Sequence, residues 1–411
     1  MAVIVQKYGG TSVGSLSRIE AIAENIIATR RQGHQVVVVL SAMAGETNRL
    51  LSLATALDPK PATRELDMLL SSGEQVSISL LTIALIQRGF SAISLLAHQA
   101  GIKTDNHFGR ARIRSVDNKR LLEALEQEQV VVIAGFQGMD SEQNITTLGR
   151  GGSDTSAVAV AVALEASECQ IYTDVDGIYS ADPRIEPQAT RLEVIAFDEM
   201  LVMASLGAKV LQNRAVEYAM AHDMPIRVLS SFDIGDGTKV INEALMAGES
   251  KTSQPVSNIA HHQQEALLTI SDVIDDNTIA EIFVLLGEAG IEVDMISAEM
   301  QSNCKHRVKF SIHRNDCAQA SEKLHEMAQK NIIGAIHCNQ KIVKISAIGI
   351  GLKSHAGVAG KLFAALAKEN INVLMISTSE ITISVIVDEL NLIKGVRLLH
   401  QTFGLNSPKN N

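Results

Sequence analysis

Five short stretches in the N-terminal half hold the residues best suited to chemistry. In the first, Lys7 is followed by Tyr8-Gly9-Gly10-Thr11-Ser12. A cation at a strand end beside two glycines sets positive charge next to bare backbone N–H groups, which a phosphate can approach closely. Gly9 and Gly14 have P-loop spacing, but Ser15-Leu16 stand where Lys-Ser/Thr is required, so this is not a Walker A loop. An ordinary strand-to-helix turn with a solvated lysine would carry the same residues. The second stretch, Leu148-Gly149-Arg150-Gly151-Gly152-Ser153-Asp154, opens a helix from Thr155. Free N–H groups and the positive end of the helix dipole make such a start an anion site. Arg150 offers a fork that fits a carboxylate. Asp154 stands where a third glycine of GxGxxG would be; it can orient a lysine or hold a metal, and Ser153 or Asp154 can equally serve as a plain helix cap.

The remaining three stretches are less specific. Thr173–Arg184 opens like a calcium loop, but Tyr179 and Ile185 occupy the positions that need Gly and Glu, which excludes that reading. A strand end followed by Tyr and Arg fits a nucleotide's base and phosphates better. Ser41–Asn48 follows an apolar run directly. Ser72-Gly73-Glu74-Gln75 starts a helix, where Glu74 either binds an ammonium group or is a first-turn acid favoured by the dipole.

The elements that must hold these loops alternate. Val36–Leu40, Val130–Ala134 and Cys169–Thr173 are continuous apolar runs. Between them lie helical patterns at Ser17–Arg31 (with a capping-box start at Ser17), Gln75–Gln87 and Thr155–Leu164. Buried strands alternating with helices predict a mainly parallel sheet covered on both faces, with ligands at the carboxyl ends of its strands. Beyond residue 245 the character changes. Ala247–Asn258 is rich in Gly, Ser, Thr and Pro and reads as a linker. An internal repeat follows, in which Ile282–Ser297 recurs as Leu362–Ser377 at an offset of 80 residues. Two copies of strand–helix–strand–strand–helix predict paired ferredoxin-like modules without catalytic side chains.

Composition sets the bounds. The chain has 411 residues, 46% hydrophobic and 20% charged, which excludes wholesale disorder. Its net charge of −10 and 3% aromatic content argue against nucleic-acid binding. Cys169, Cys304, Cys317 and Cys338 form no CxxC pair and are expected to be reduced. No secretory leader and no membrane span are expected, so the expected location is cytoplasmic.

KYGGTS, SAMAG-x-TN, SGEQ, LGRGGSDT, TDVDGIYSADPR and GAKVL (Gly207–Leu211), in this order, resemble the aspartokinase family, in its monofunctional form. The two repeats resemble its paired ACT modules. The resemblance implies an α/β fold: an amino-acid-kinase three-layer α/β/α sandwich with a mainly parallel sheet, then two ferredoxin-like ACT modules. The expected limits are 1–245 for the kinase domain, 246–263 for a linker, and 264–335 and 336–411 for the modules. The implied reaction is ATP-dependent phosphorylation of the β-carboxylate of L-aspartate, the first step toward lysine, methionine and threonine.

By the same resemblance, Lys7 contacts the transferring phosphoryl group and Asp154 holds Lys7. Arg150 grips an aspartate carboxylate and Glu74 its ammonium. Ser41, Thr47, Gly151, Gly152 and Ser153 complete that pocket. Tyr8, Gly9, Gly10, Thr173, Asp174, Tyr179, Arg184 and Lys209 line the ATP site with Lys7. Mg²⁺ arrives on ATP, with no dedicated protein metal site. The effector, lysine or threonine, is expected at Glu292, Val293, Asp294, Asn372, Val373, Ser379 and Glu380. Homo-oligomerisation through the ACT modules, and a regulatory subunit from an internal start at Met246, are further implications. Two departures from the family pattern stand out: His355-Ala356-Gly357, and the acidic Asp272–Asn277, which reads either as a solvated turn or as a lure for a cationic amino acid. A kinase for glutamate or N-acetylglutamate and a non-catalytic amino-acid sensor are the competing readings.

Overall fold

The computed structural model describes residues 2–207, 210–246, 254–301, 305–350, 352 and 355–406. Two compact units emerge: Met1–Ile178 with Arg191–Lys251, and Tyr179–Thr190 with Thr252–Asn411. The segment Tyr179–Thr190, expected in the kinase domain, therefore belongs to the C-terminal unit.

The first unit is built on an eight-stranded sheet. Its order is Val194–Ala196, Thr238–Ile241, Ile226–Ser230, Glu168–Thr173, Val3–Tyr8, Gln35–Leu40, Val130–Ala134, Ala92–Leu95. Every pairing is parallel except that of Ile226–Ser230 with Thr238–Ile241. Val36–Leu40 and Val130–Ala134 are wholly buried, as β-branched runs covered on both faces must be. Helices Leu16–Arg31 and Ser72–Gln87 pack Ile19, Ile22, Ile26, Ile78, Leu81 and Leu85 on one face. Helix Gly152–Ala163 packs on the other. The first helix starts at Leu16, not Ser17. Its cap is Ser15, whose hydroxyl accepts from the Arg18 N–H at 3.3 Å. A second, small sheet (Ile113–Val116, Ile102–Thr104, Gln137–Met139, Ile145–Thr147) was not foreseen.

The helical run Thr63–Gln87 is long and apolar enough to cross a membrane by length and composition. It also carries Asp67 and Glu74, both buried within this unit.

The C-terminal unit holds the two modules, each a four-stranded antiparallel sheet. The first runs in the order Val293–Met300, His306–His313, Glu265–Val273, Ile336–Asn339. The second runs Asn258–His262, Ile342–Ile348, Thr382–Asp388, Val373–Thr378. The edge strand Asn258–His262 of the second module thus precedes the first module in the chain, so the first is inserted within the second. This moves both expected limits. Asn258–His262 is a strand rather than linker, pairing with Lys344–Ile348, and Ile336–Asn339 belongs to the first module, pairing with Leu267–Ile270. Both are short edge strands with His and Asn and little alternation, and their partners lie far away in sequence.

Cys317 and Cys338 form a disulfide, against the expectation of reduced thiols. The module topology brings the first turn of helix Cys317–Gln329 beside the edge strand Ile336–Asn339, an adjacency that sequence spacing does not show. Cys169 is free and buried. Cys304 lies outside the described residues.

Candidate active site

Strand Val3–Tyr8 sends alternate side chains to opposite faces. Gln6 and Tyr8 point toward helix Leu16–Arg31. There the Gln6 amide donates to Thr29 Oγ1 at 3.1 Å, and the Tyr8 hydroxyl accepts from Asn25 at 2.8 Å. The Tyr8 ring, 1% exposed, stacks on Tyr172 with centroids 4.5 Å apart. Tyr8 is therefore a core residue beneath the site, which corrects its assignment to the nucleotide. Lys7, between the two, must point the other way. Its Nζ lies 2.5 Å from Asp154 Oδ1 on helix Gly152–Ala163, with both side chains largely buried.

This pair opens on a cavity of about 440 Å³. Lys7, Gly10, Ser41, Thr47, Glu74, Arg150, Gly151, Gly152, Ser153 and Asp154 all line it, so the catalytic and substrate-pocket candidates converge. Gly9 sits beside the Lys7 ammonium: a Cβ there would lie 3.5 Å from Nζ. Thr173 ends the neighbouring strand Glu168–Thr173 and Asp174 follows it, with Thr173 Oγ1 donating to Asp174 Oδ1 at 3.1 Å. Tyr179 and Arg184 do not line the cavity. Both lie in the C-terminal unit, where the Arg184 guanidinium forks onto Asp182 at 2.7–3.2 Å. Lys209 lies outside the described residues.

Glu74 has the most distinctive environment. It is 2% exposed. One carboxylate oxygen accepts the Ala42 N–H at 2.9 Å and the other has no partner. Burial pushes its carboxyl up to about 7, against the opposing pull of the Ala42 N–H. Behind it, the Ser77 hydroxyl donates to the Ser41 carbonyl at 2.9 Å, and Ser41 Oγ donates to Ser153 Oγ at 2.9 Å. The last contact explains Gly135, since a Cβ there would lie 2.8 Å from Ser153 Oγ. Phe136, next in the chain, lines the cavity with φ 68° and escaped the sequence analysis. The signal for it was its place after Gly135 at the carboxyl end of a buried strand.

The effector candidates lie on the C-terminal unit. Glu292, Asp294 and Asn372 are exposed at the start of strands Val293–Met300 and Val373–Thr378. Asp294 is not free, because its carboxylate pairs with Lys344 of the other module. The Ser379 hydroxyl shapes a turn, accepting the Ile381 and Thr382 N–H groups at 3.3 and 3.1 Å. In the acidic turn, Asp275 caps helix Asp276–Glu288, accepting the Thr278 N–H at 2.9 Å.

Residues 2–230 match the amino acid kinase family, and residues 345–403 match an ACT domain. An aspartate kinase of Pseudomonas putida is 50% identical over 99% of both chains. This chain belongs to the aspartate kinase family. The crystal structure of aspartate kinase from Synechocystis superposes with a TM-score of 0.87 at 31% identity, covering 100% of this chain and 99% of that one. Escherichia coli aspartokinase III superposes at 0.75 in complex with aspartate and ADP, and at 0.78 with lysine and aspartate. Its identities are 27% and 28%, with 97% and 98% of this chain and 99% of that chain covered.

Proposed function

We propose that the chain transfers the γ-phosphoryl group of ATP to the β-carboxylate of L-aspartate, giving 4-phospho-L-aspartate and ADP. The observation that carries the substrate is Glu74, a buried carboxylate on the cavity wall with one oxygen unpartnered. A free ammonium group supplies both the charge and the donor it lacks. Arg150, on the same cavity, presents a fork for the substrate's α-carboxylate. An N-acetylated substrate would bring no charge to Glu74.

The acceptor carboxylate is already ionised at neutral pH, so no general base is required. The obstacle is repulsion between two anions. The Lys7 ammonium, the Gly10 N–H and the amino end of helix Gly152–Ala163 supply positive potential where charge spreads over the transferring group. Asp154 holds the Lys7 ammonium in place through their 2.5 Å ion pair. Thr173 and Asp174 take part in holding the nucleotide. Among the described residues no group of three His, Cys, Asp or Glu side chains is arranged to hold a metal. Mg²⁺ would be carried on the nucleotide's phosphates, whose oxygens it would shield when bound.

The C-terminal unit takes the feedback effector, lysine or threonine, with Glu292–Asp294 and Asn372–Val373 as its contacts. The protein works in the cytoplasm as a homo-oligomer joined through its ACT modules, at the first step toward lysine, threonine and methionine. An internal start at Met246 would yield a regulatory subunit lacking Tyr179–Thr190, which in the full chain packs Ile185 and Ala189 on the second module. A coupled ADP-release assay tests the proposal. Turnover is expected with L-aspartate, inhibition with lysine, threonine or both, and no turnover with N-acetylaspartate. ADP release indifferent to aspartate would refute it.

A further inference from the structure

Arg150 sits in a run of glycines, Gly149 before it and Gly151-Gly152 after it, so its own backbone does little to fix its aim. What holds the ends of this loop decides where the guanidinium reaches. On the carboxyl side, Gln212 packs against Gly151 so closely that a Cβ at Gly151 would collide with it. On the amino side stands Asp67, from helix Thr63–Leu70, whose side chain is fully buried and has no ion-pair partner among the described residues. Its carboxylate accepts four contacts from two backbone segments. Thr147 donates its N–H at 2.7 Å and its hydroxyl at 2.7 Å, and the Gly109 N–H reaches both oxygens at 2.9 and 3.0 Å.

Both segments border the loop. Thr147 is three residues before Arg150, and its carbonyl accepts the Ala111 N–H at 2.9 Å. Gly149 passes so near the Gly109 carbonyl that a Cβ would lie 3.0 Å from it. The next residue after Thr147, Leu148, donates to the Phe136 carbonyl at 2.9 Å and accepts from Arg214 at 3.2 Å. A carboxylate without a neutralising cation is costly to bury unless its hydrogen bonds are complete, as they are here.

We propose that Asp67 is a positioning residue for Arg150: by clamping Thr147 to Gly109 it fixes the root of the glycine-flanked loop that presents the guanidinium to the substrate carboxylate. This inference rests on the reading of Arg150 as the carboxylate grip. Asp67→Asn keeps the shape but puts a donor where only donors converge, so the clamp is lost on one side. Loosening the root should weaken aspartate binding and leave the nucleotide alone.

The test is steady-state kinetics of the full-length enzyme. Asp67→Asn should raise KM for aspartate about tenfold, with KM for ATP within about twofold. Thr147→Val should raise it about threefold, and Thr147→Ser, which keeps the hydroxyl, should restore it. If Asp67→Asn fails to fold, the Thr147 pair decides: an unchanged aspartate KM in Thr147→Val overturns the proposal. Equal rises in both KM values also overturn it, since they mark a general loss of structure. Arg150→Ala separates the two layers. An unaffected aspartate KM there refutes the grip itself, whereas a large rise in Arg150→Ala without one in Asp67→Asn refutes only the clamp.

Discussion

Among the described residues each unit buries one lysine beside carboxylate, and the two sites use the same chemistry to opposite ends. In the kinase unit Lys7 pairs, among the described residues, with Asp154 alone and faces a cavity edged by glycine backbone. In the C-terminal unit Lys344 is gripped by Glu265 at 2.7 Å and by Asp294. Glu265 also meets His262 at 3.1 Å. Lys344 and Asn258–His262 belong to the second module, Glu265 and Asp294 to the first, so this cluster ties the modules together. Leu267 and Met295 of one meet Ile342, Met375 and Ile386 of the other in an apolar cluster. A lysine saturated by two carboxylates has no charge left for an anion. A lysine balanced once, beside an open cavity, keeps positive potential for an incoming phosphoryl group.

The largest structural effect expected is at the sealed site. Lys344→Met leaves Glu265 buried without its ammonium and should cost about 3–5 kcal/mol in the unfolding transition of the C-terminal unit. Adding Glu265→Gln should recover most of that loss. A change below about 1 kcal/mol, in the range of exposed pairs, would break the contrast.

The open site should respond to pH in the opposite sense. Burial raises the Glu265 carboxyl, but His262 and Lys344 pull it further down, so its net position is below the usual range. That stability is present above the ordinary carboxylate value and fades as pH falls toward its folded value. Glu74 is instead pushed up to about 7. Its ionisation costs the folded state about 3 kcal/mol once pH exceeds 7, and this cost disappears as pH falls toward 4.5. Glu74→Gln should therefore stabilise the kinase unit at pH 8 and be neutral near pH 4.5, while greatly raising KM for aspartate. Equal stability of variant and parent across this range would show that Glu74 carries no buried charge to recruit an ammonium.

Much of the site was legible because its loops announce themselves locally. Two glycines after Lys7 and three around Arg150 have few uses besides backbone exposure. The buried strands were equally plain, since Val36–Leu40 and Val130–Ala134 are unbroken apolar runs. What escaped depends on partners distant in sequence. The strands of the small sheet, such as Ile102–Thr104, carry too few residues for a period of two to register. The edge strand Asn258–His262, on which the insertion of one module in the other rests, passed for linker because its partner strand lies more than 80 residues away. Tyr8 was misplaced because the alternation that aims Lys7 at Asp154 sends its neighbour to the other face. Asp67 gave no signal, because its three donors come from two unrelated loops.

Replacing Lys7 by glutamine, which keeps a donor toward Asp154 but removes the positive charge, tests the central claim most directly. Turnover in the coupled assay should fall by about 10²–10³-fold or more at saturating aspartate and ATP, with unchanged circular dichroism at the assay temperature. A Lys7→Gln enzyme that is folded and turns over within a few-fold of the parent would contradict the role of Lys7 in neutralising the transferring phosphoryl group.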